Sequence, residues 1–460
     1  MMREKKGGNS FWLGLVTGLI IALFITAVVF IVRVISGAGN TDPRTERIAR
    51  GLASESTASA SEKTGESSEG KSTVVAEGDK EEQGTGETTE EDKPAVVEDG
   101  YVLDNADVLK KIDTIEEMIN KHYIEGVDNE TLEKGIYSGM MDSLGDPYAR
   151  YYDPEEWIEA QQDFGGIYYG IGVYLTKDEK YFVPRVTGVI KNTPAEEMGM
   201  QEDDLIVTVD GVDIYDYDLS DAVKLIKGAQ GTYAHLEIVR GEGADRKVLE
   251  LDVERRKVET PTVYYEDLGD GIAYIAISEF DDVTAPQFSE ALQEARDNNM
   301  KGMVLDLRSN PGGSVYAAVD IARMLLPAGL VVYTEDKYGQ RIEYDCDGAH
   351  ELEVPMMVLV NKNTASSAEI LSGAIKDHKK GKLIGTTTFG KGIVQNLYQL
   401  EDGSAIKMTT SSYFTPNGHN IHKIGIEPDI ELEFDPDANT ADGTDNQLER
   451  AKDELKKEMQ

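Results

Sequence analysis

Asn361-Lys362-Asn363-Thr364-Ala365-Ser366-Ser367-Ala368-Glu369-Ile370 joins a continuous apolar run, Val354–Val360, to a helical pattern that continues to about Asp377. An apolar strand, a polar turn and a helix in this order form one unit of an α/β fold. A serine at the start of such a helix lies near unpaired backbone N–H groups, and the helix dipole favours negative charge there. The segment therefore indicates the fold class and a position for a reactive serine, with Ser366 and Ser367 as candidates.

A lysine with unusual neighbours follows in Phe389-Gly390-Lys391-Gly392-Ile393-Val394-Gln395. Because Lys391 stands between two glycines on an apolar stretch, we expect it to be crowded and partly desolvated. Burial disfavours the charged ammonium and lowers the pKa of a lysine. A lysine whose pKa is tuned to about 7–8 can act as a general base, and serine–lysine pairs are one variant of the activated serine.

A second strand with a glycine-rich end lies upstream of the serine segment. Gly302–Arg308 is apolar and ends in Ser309-Asn310-Pro311-Gly312-Gly313, after which Val315–Leu326 has helical periodicity. Glycines at a strand end allow a backbone N–H group to approach a ligand closely. With a strand at Gly271–Ile277 and a helix at Pro286–Asn299, strands and helices alternate as in an α/β sheet.

The region before these strands has the order of elements of a small β-rich domain. Its parts are a glycine-rich stretch, an apolar segment with a turn, a helix and a strand: Gly165–Leu175, Pro194–Gly211, Asp221–Ile226 and His235–Arg240. This order resembles a PDZ domain in the circular arrangement found in bacterial proteases, although Asp203 stands where that pattern usually has glycine. A PDZ domain binds an extended peptide as an added strand and holds its terminal carboxylate on backbone N–H groups. The resemblance implies a peptide-binding loop, and the alternative is that its glycines only serve a turn; the loop consists of Gly170, Ile171, Gly172 and Val173.

The serine and lysine segments together resemble the carboxy-terminal processing peptidases, also called tail-specific proteases. The serine motif of that family is similar to Ser-Ala-Ser-Ala-Ser-Glu-Ile, and its lysine motif is similar to Phe-Gly-Lys-Gly-x-x-Gln. Thr364–Ile370 matches the first motif with the fourth and fifth residues exchanged. The family places its nucleophile 25 residues before the lysine, which is the interval from Ser366 to Lys391 and favours Ser366 over Ser367. Further matches are Leu305–Gly313, Tyr413–Gly418, Gly425–Ile430 and, more loosely, Gly145–Tyr148.

This resemblance implies a ClpP/crotonase-like protease core of the α/β class, with an inserted PDZ domain and a helical N-terminal module. It also implies acyl transfer, in which a neutral lysine removes the proton of the serine hydroxyl and the serine attacks a peptide carbonyl. Backbone N–H groups would bind the resulting oxyanion. The chemistry needs neither metal nor cofactor, and its substrate is a protein or peptide. The residues that the resemblance assigns are Ser366, Lys391 and Gln395 for catalysis, and Ser367 with Gly312 or Gly313 for the oxyanion hole.

Two alternatives compete with this interpretation. The first is a catalytically silent scaffold that only binds through its PDZ domain, and the intact Ser366, Lys391 and Gln395 argue against it. The second is a PDZ protease with a Ser-His-Asp triad. In such enzymes the PDZ domain usually follows the protease part, whereas here it precedes the serine, and the six histidines form no recognisable triad pattern.

Two amphipathic helical patterns precede the PDZ-like region. Apolar residues recur at helical spacing in Val108–Tyr123 and in Leu132–Leu144, and Gly145-Asp146-Pro147 then interrupts the pattern. Helices this short need a surface to pack on. That surface is either a second copy of the same helices, which would make a homodimer, or the body of the chain itself.

An uncharged run of 22 residues, Phe11–Val32, lies near the start of the sequence. A membrane helix needs about 20 apolar residues, whereas a signal-peptide core usually has about 7–15. We therefore expect a retained single-pass anchor in the cell membrane. Long domains translocate largely regardless of charge, so the protease body is expected to be extracytoplasmic.

Charge and cysteine content exclude several functions. The chain has 46 basic and 86 acidic residues, a net charge of −40, which argues against a nucleic-acid partner because phosphate contacts need Lys and Arg. The single cysteine excludes an intramolecular disulfide and a zinc site with several thiolates. Acidic residues are concentrated in 40–100 and 427–460, which we interpret as solvated chain.

The predicted organisation follows from these patterns. It comprises a cytoplasmic tail at 1–10, a transmembrane anchor at 11–35, a disordered acidic linker at 36–103, a helical N-terminal module at 104–160, a PDZ domain at 161–257, a serine protease core at 258–435 and an acidic tail or helix at 436–460.

Overall fold

The computed structural model describes residues 105–241, 243–436 and 445–459. Ile171–Arg256 form one compact unit, and the described residues up to Gly170 and from Lys257 form a second. The predicted cytoplasmic tail, membrane anchor and linker lie outside the described residues. Within the described ranges, no helix has the length and apolar character that crossing a bilayer requires.

The second unit begins with the two predicted helices. Its first elements are α1 (Asn105–His122), α2 (Asn129–Asp142), β1 (Arg150–Tyr152), α3 (Pro154–Gly165) and β2 (Ile167–Gly170). Asp128 caps α2 by accepting a hydrogen bond from Thr131 N–H at 2.7 Å, and Gly166 ends α3 in the left-handed conformation that glycine adopts readily. The helical prediction is confirmed, and none of the described side chains of α1 is buried.

The first unit is an antiparallel sheet with two helices. Its elements are β3 (Val173–Lys177), β4 (Pro184–Val189), α4 (Pro194–Glu197), β5 (Leu205–Val209), β6 (Val212–Asp213), α5 (Leu219–Ile226), β7 (Tyr233–Arg240) and β8 (Lys247–Glu254). The strand order is β3-β4-β5-β7-β8, and β6 pairs with β5. Ile206, Ile238 and Val253 are fully buried in a core that also includes Ile226 of α5. Strand β3 therefore forms one edge of this sheet.

After the first residue of β9, which is the last residue of the first unit, the remainder of the second unit contains the predicted alternation of strands and helices. The elements are β9 (Arg256–Glu259), β10 (Val263–Asp267), β11 (Ile272–Ile277), α6 (Thr284–Asp297), β12 (Gly302–Asp306), α7 (Val315–Arg323), β13 (Gly329–Asp336), β14 (Arg341–Cys346), β15 (Met356–Val360), α8 (Ser367–Asp377), β16 (Gly381–Gly385), β17 (Ile393–Gln399), β18 (Ala405–Phe414), β19 (Ile430–Glu431) and α9 (Asn446–Glu458).

The main sheet of this unit has the order β10-β11-β12-β15-β16-β19. Only β10 runs antiparallel to its neighbour, and the other pairs are parallel. Every residue of β12 and β15 is buried, because helices cover both faces of a parallel sheet. Phe288, Ala318 and Leu371 bring α6, α7 and α8 into the core on one face. The predicted α/β class is therefore confirmed.

A second, antiparallel sheet in the same unit carries the lysine segment. Its order is β1-β18-β13-β14, and β17 also pairs with β18. Strand β1 lies against β18 with Arg150 opposite Lys407 and Tyr152 opposite Ala405. The N-terminal part of the unit is thereby fixed directly to the strand that neighbours β17.

The C-terminal stretch departs from the expectation of solvated chain. Helix α9 packs on the face of the main sheet opposite α6, α7 and α8, where Ala451 and Leu455 are fully buried with Val304. Its start is fixed by Arg308, which forms an ion pair with Asp445 at 2.7 Å. The expectation was wrong for this helix because one apolar stripe is enough to dock a helix whose other faces are charged.

Candidate active site

The structure places Ser366 immediately before α8, at the carboxyl end of β15. Ser366 has φ +54° and ψ −119°, a backbone conformation that is rare for a residue with a side chain and is typically found at functional sites. Ser366 is partly exposed, whereas Ser367 is fully buried. Ser367 Oγ donates a hydrogen bond to Gly313 O at 2.8 Å. The geometry therefore favours Ser366 over Ser367 as the accessible hydroxyl.

A fully buried carboxylate, Glu369, joins the serine segment to the lysine segment. Its Oε2 atom accepts the N–H groups of Ser366 and Lys391, each at 2.9 Å. Its Oε1 atom accepts Gly390 N–H at 2.8 Å and Thr388 Oγ1 at 2.5 Å. A buried charge is tolerated where hydrogen bonds satisfy its oxygens. Glu369 therefore fixes the main chains of the serine and the lysine to a common point.

Lys391 lies in a partly desolvated position, as its glycine neighbours predict. Burial lowers the pKa of Lys391 and the positive charge of Lys407 lowers it further, while Asp146 and Glu369 act in the opposite direction. The Nζ atom lies 4.2 Å from the centroid of the Tyr148 ring. No residue in the described part of the chain accepts a hydrogen bond from Nζ, and Ser366 Oγ is not among its partners. Among the described residues, the ring of Tyr148 is therefore the group that the structure places against the ammonium.

The glycine-rich end of β12 packs directly against the serine segment. Gly312 has φ +96°, and a Cβ atom at this position would lie 2.7 Å from both Ala365 O and Ser366 Cβ. Phe280 N–H donates to Gly312 O at 2.9 Å, and Phe280 O accepts Ser314 N–H at 2.5 Å. Glycine is required here because any side chain would separate the two segments.

The two glycines differ in what their N–H groups bind. Gly312 N–H donates to Asn310 Oδ1 at 2.8 Å, and Asn310 Nδ2 donates to Ile277 O at the same distance. Neither Gly313 N–H nor Ser367 N–H donates to another described residue. An oxyanion site needs donors that are not already engaged. Of the two glycines that the sequence offers, the geometry therefore favours Gly313.

Gln395 lies on β17, and in the described part of the chain its side chain makes no hydrogen bond to Lys391. Its Nε2 atom donates to Thr409 Oγ1 at 3.1 Å on the neighbouring strand β18. Thr409 N–H in turn donates to Asp146 Oδ2 at 3.2 Å. Gln395 is therefore connected to Asp146 through Thr409.

The predicted peptide-binding loop joins β2 to β3. Gly170 ends β2, Ile171 and Gly172 form the turn, and Val173 begins the edge strand β3. Ile171 is buried, and its carbonyl oxygen accepts Ala195 N–H at 2.9 Å. Gly172 has φ +91°, and a Cβ atom there would lie 2.3 Å from Thr193 Cβ. The glycine thus serves a tight turn, and the turn places backbone groups at the start of an open sheet edge.

Several residues of this site were not assigned by the sequence analysis. Glu369 was part of the quoted serine motif, and its position three residues after Ser366 is the spacing of a helix capping box, which is a readable signal. Asp146 and Tyr148 were noted only as a loose motif match. Tyr413 was noted only as the first residue of a motif match, and its hydroxyl donates to Ser366 O at 3.0 Å, a contact that depends on how β18 packs. The described residues contain no group of three or more His, Cys, Asp or Glu that could hold a metal ion.

Comparison with known proteins identifies three regions of the chain. Residues 271–432 match the model of peptidase family S41, residues 185–240 match a PDZ domain, and residues 60–156 match the N-terminal domain of the activating protease CtpB.

Curated relatives from three bacteria are similar to most of the chain. A probable CtpA-like serine protease of Staphylococcus haemolyticus is 34% identical over 336 residues, which cover 72% of this chain and 66% of that protein. The carboxy-terminal processing protease CtpA of Bacillus subtilis is 33% identical over 325 residues, covering 70% of this chain and 69% of the relative. A carboxyl-terminal-processing protease of Synechocystis is 33% identical over 296 residues, covering 64% and 69%. The chain thus matches about two thirds of the length of these relatives, and it belongs to the carboxy-terminal processing serine peptidases of family S41.

Proposed function

We propose that this protein is a serine endopeptidase that cleaves proteins near C-terminal or otherwise exposed segments. In this proposal the PDZ domain recruits the segment, and Ser366 and Lys391 carry out acyl transfer. The predicted helix at 11–35 anchors the protein in the cell membrane, with the protease body on the extracytoplasmic side. The observation that carries the proposal is the shared carboxylate of Glu369, which binds the N–H groups of the serine and the lysine with one oxygen atom.

The proposed reaction starts from neutral Lys391, a state that its burial favours. Lys391 Nζ accepts the proton of Ser366 Oγ while Oγ bonds to the carbonyl carbon of the substrate. The negative charge that develops on the carbonyl oxygen is bound by the N–H groups of Gly313 and Ser367, and such donors typically lower the barrier by about 2.7–4 kcal/mol each.

The second half of the reaction releases both products. The tetrahedral intermediate collapses, the C–N bond breaks, and the leaving amine takes the proton from the Lys391 ammonium. Lys391, neutral again, then removes a proton from water, whose oxygen attacks the acyl carbon. Cleavage of the ester bond returns the proton to Ser366 Oγ and frees the new carboxylic acid, which then loses its proton to water.

Recruitment by the PDZ unit is supported by the position of β3. An edge strand presents main-chain groups on its outer side, so an extended peptide can add as a further strand. Val173 and Leu175 of β3 and Leu225 of α5 pack on the core of this unit as partly buried apolar side chains. These residues lie where a groove between strand and helix would bind an apolar side chain of the peptide.

We also propose that a second copy of the chain covers α1 and α2. Leu109, Ile115 and Met118 of α1 each expose more than half of their surface, and Ile136 and Met140 of α2 are also exposed. Of these, Ile115 and Ile136 line one apolar cavity together, and exposed apolar surface of this kind usually marks an interface. Sedimentation equilibrium should show a dimer that Ile115→Glu converts to a monomer, and a wild-type monomer would exclude this proposal.

The test of the proposed chemistry uses the full chain and an unfolded protein substrate. Ser366→Ala and Lys391→Met should each reduce kcat at least about a thousandfold, because each removes a member of the reacting pair. Lys362→Met, which alters an exposed lysine close to the serine in sequence, is the control and should cleave at the wild-type rate. Equal cleavage by wild type and Ser366→Ala would overturn the proposal.

A further inference from the structure

The turn Gly145–Tyr148 contacts the proposed general base. This turn follows α2, and Gly145 has φ +66°, which ends the helix. Asp146 Oδ1 accepts Tyr148 N–H at 3.0 Å within the turn. The aromatic ring of Tyr148 then faces Lys391, with Nζ 4.2 Å from the ring centroid, well within the about 6 Å over which a cation and an aromatic face attract each other.

The Gly145–Tyr148 turn is hydrogen-bonded to β18, the strand that pairs with β17 after the lysine segment. Asp146 Oδ2 accepts Thr409 N–H of β18 at 3.2 Å, and β1, which begins two residues after Tyr148, pairs with β18. Thr409 also accepts the hydrogen bond from Gln395 Nε2 and is the residue opposite Gln395 in the pairing of β17 with β18. One residue of β18 thus connects the turn to the strand that leaves Lys391.

The groups around Lys391 have opposite effects on its protonation. The turn contributes Asp146 and the ring of Tyr148, and α8 contributes Glu369; all three favour the ammonium form. Strand β18 contributes Lys407, which disfavours it, and burial acts in the same direction. A small change on the turn side therefore shifts the balance between the two protonation states.

We propose that the Gly145–Tyr148 turn is a positioning element for Lys391, in which the Tyr148 ring supports the lysine side chain and Asp146 holds that ring against β18. The proposal rests on the proposed Ser366–Lys391 mechanism and deepens it. The ring binds the ammonium and so stabilises the lysine after it has accepted the proton of the serine. Because the turn directly follows α2, the N-terminal helices are linked to the base through these residues.

The test is the pH dependence of cleavage by variants of the full chain. In Tyr148→Leu the ammonium loses the ring, so the acidic limb of kcat/KM should move to lower pH by about half a pH unit. The maximal kcat should fall about tenfold while KM changes little, because the base is less well placed. Tyr148→Phe keeps the ring face and should restore the wild-type limb.

Two further variants test the contribution of charge and serve as a control for loss of an aromatic ring. Asp146→Asn removes a negative charge but keeps an acceptor for Tyr148 N–H, so its limb should also move to lower pH. Tyr338→Leu is the matched control, because Lys337 Nζ lies 5.0 Å from the Tyr338 ring on the exposed hairpin of β13 and β14. It should leave both kcat and the pH limb unchanged.

The outcomes separate this proposal from the catalytic one. A purely structural role for the turn predicts reduced activity in Tyr148→Leu with an unmoved pH limb, and that result would overturn the positioning role. If circular dichroism shows that Tyr148→Leu does not fold, the acidic limb of kcat/KM is measured for Asp146→Asn instead. An unmoved limb in that variant would likewise overturn the positioning role. Activity retained in Lys391→Met would instead refute the underlying Ser366–Lys391 mechanism.

Discussion

Glu369 and Asp281 are two carboxylates of the protease unit with opposite surroundings. Glu369 is fully buried and accepts four hydrogen bonds, from Ser366, Thr388, Gly390 and Lys391. No described residue donates a hydrogen bond to the carboxylate of Asp281. Burial together with the nearby charges of Glu279, Asp282 and Asp163 raises the pKa of Asp281 to about 7.

The two carboxylates teach that hydrogen-bond donors, and not burial alone, decide what a buried charge does. With its donors, Glu369 connects the serine segment to the lysine segment. Without donors, Asp281 lies next to Phe280, whose backbone pairs with Gly312–Ser314. Glu369 joins two segments through its hydrogen bonds, whereas Asp281 makes its surroundings sensitive to pH.

The largest effect is expected from Glu369→Gln, which removes part of the hydrogen bonding that distinguishes Glu369 from Asp281. The amide supplies one acceptor oxygen in place of two, so at least two buried donors lose their partner, at about 1–3 kcal/mol each. We expect the free energy of unfolding to fall by about 2–4 kcal/mol. We also expect kcat to fall at least about a hundredfold, because Ser366 and Lys391 are no longer held together.

Glu156→Gln is a matched control for this substitution. Glu156 is the corresponding capping-box glutamate of α3, where its Oε2 accepts Asp153 N–H at 3.2 Å, but its side chain is partly exposed. Water can replace the lost bond there, so the cost should stay below about 1 kcal/mol and kcat should not change. Urea unfolding and cleavage assays on both variants measure the difference, and equal losses would contradict the role assigned to Glu369.

Much of the main sheet was predictable because its strands are buried on both faces. The continuous apolar runs at Gly302–Arg308 and Val354–Val360 correspond to β12 and β15, with boundaries within two residues. Motif spacing singled out Ser366 and Lys391, and the structure brings their main chains to one carboxylate. Their shared carboxylate was not predictable, since it depends on the fold bringing Thr388 and Gly390 to the start of α8.

Two features that sequence reasoning did not reach have the same physical origin. The resemblance assigned Gln395 to catalysis but not a position for its side chain, which on β17 reaches Thr409 of β18. Helix α9 was expected to be solvated because its composition is acidic, yet Ala451 and Leu455 are enough to dock it. Both depend on the neighbouring element, which a single segment of sequence does not specify.

Asp281→Asn is expected to have an intermediate effect that depends on pH. The pKa of Asp281 is raised in the folded protein to about 7, whereas an unfolded Asp titrates near 3.9. Wild type therefore loses stability as pH rises from about 4 to about 7, since the folded state resists ionisation. Because the side chain is partly exposed, solvent screening limits the loss to about 1–2 kcal/mol.

The measurement is the free energy of unfolding of wild type and Asp281→Asn at several pH values. The variant should gain nothing near pH 4, gain progressively up to pH 7 and keep a constant advantage above it. A gain of the same size at every pH would contradict the comparison, because it would mean that the asparagine improves packing and that the charge of Asp281 has no cost.

The smallest effect is expected from Ser367→Ala. This variant removes the hydrogen bond from Ser367 Oγ to Gly313 O, which lies between Glu369 and Asp281 in the chain of contacts. Ser367 belongs to the helix of Glu369, and its Oγ donates to Gly313 O on the loop that pairs with the residue before Asp281. Loss of one hydrogen bond costs about 0.5–1.5 kcal/mol, so we expect kcat to fall about threefold to tenfold with KM unchanged. The family's serine motif is similar to one with alanine at this position, so the loop can be held without this bond. A loss above a hundredfold in Ser367→Ala would therefore mean that Ser367 Oγ itself reacts, and it would reverse the choice of Ser366 as nucleophile.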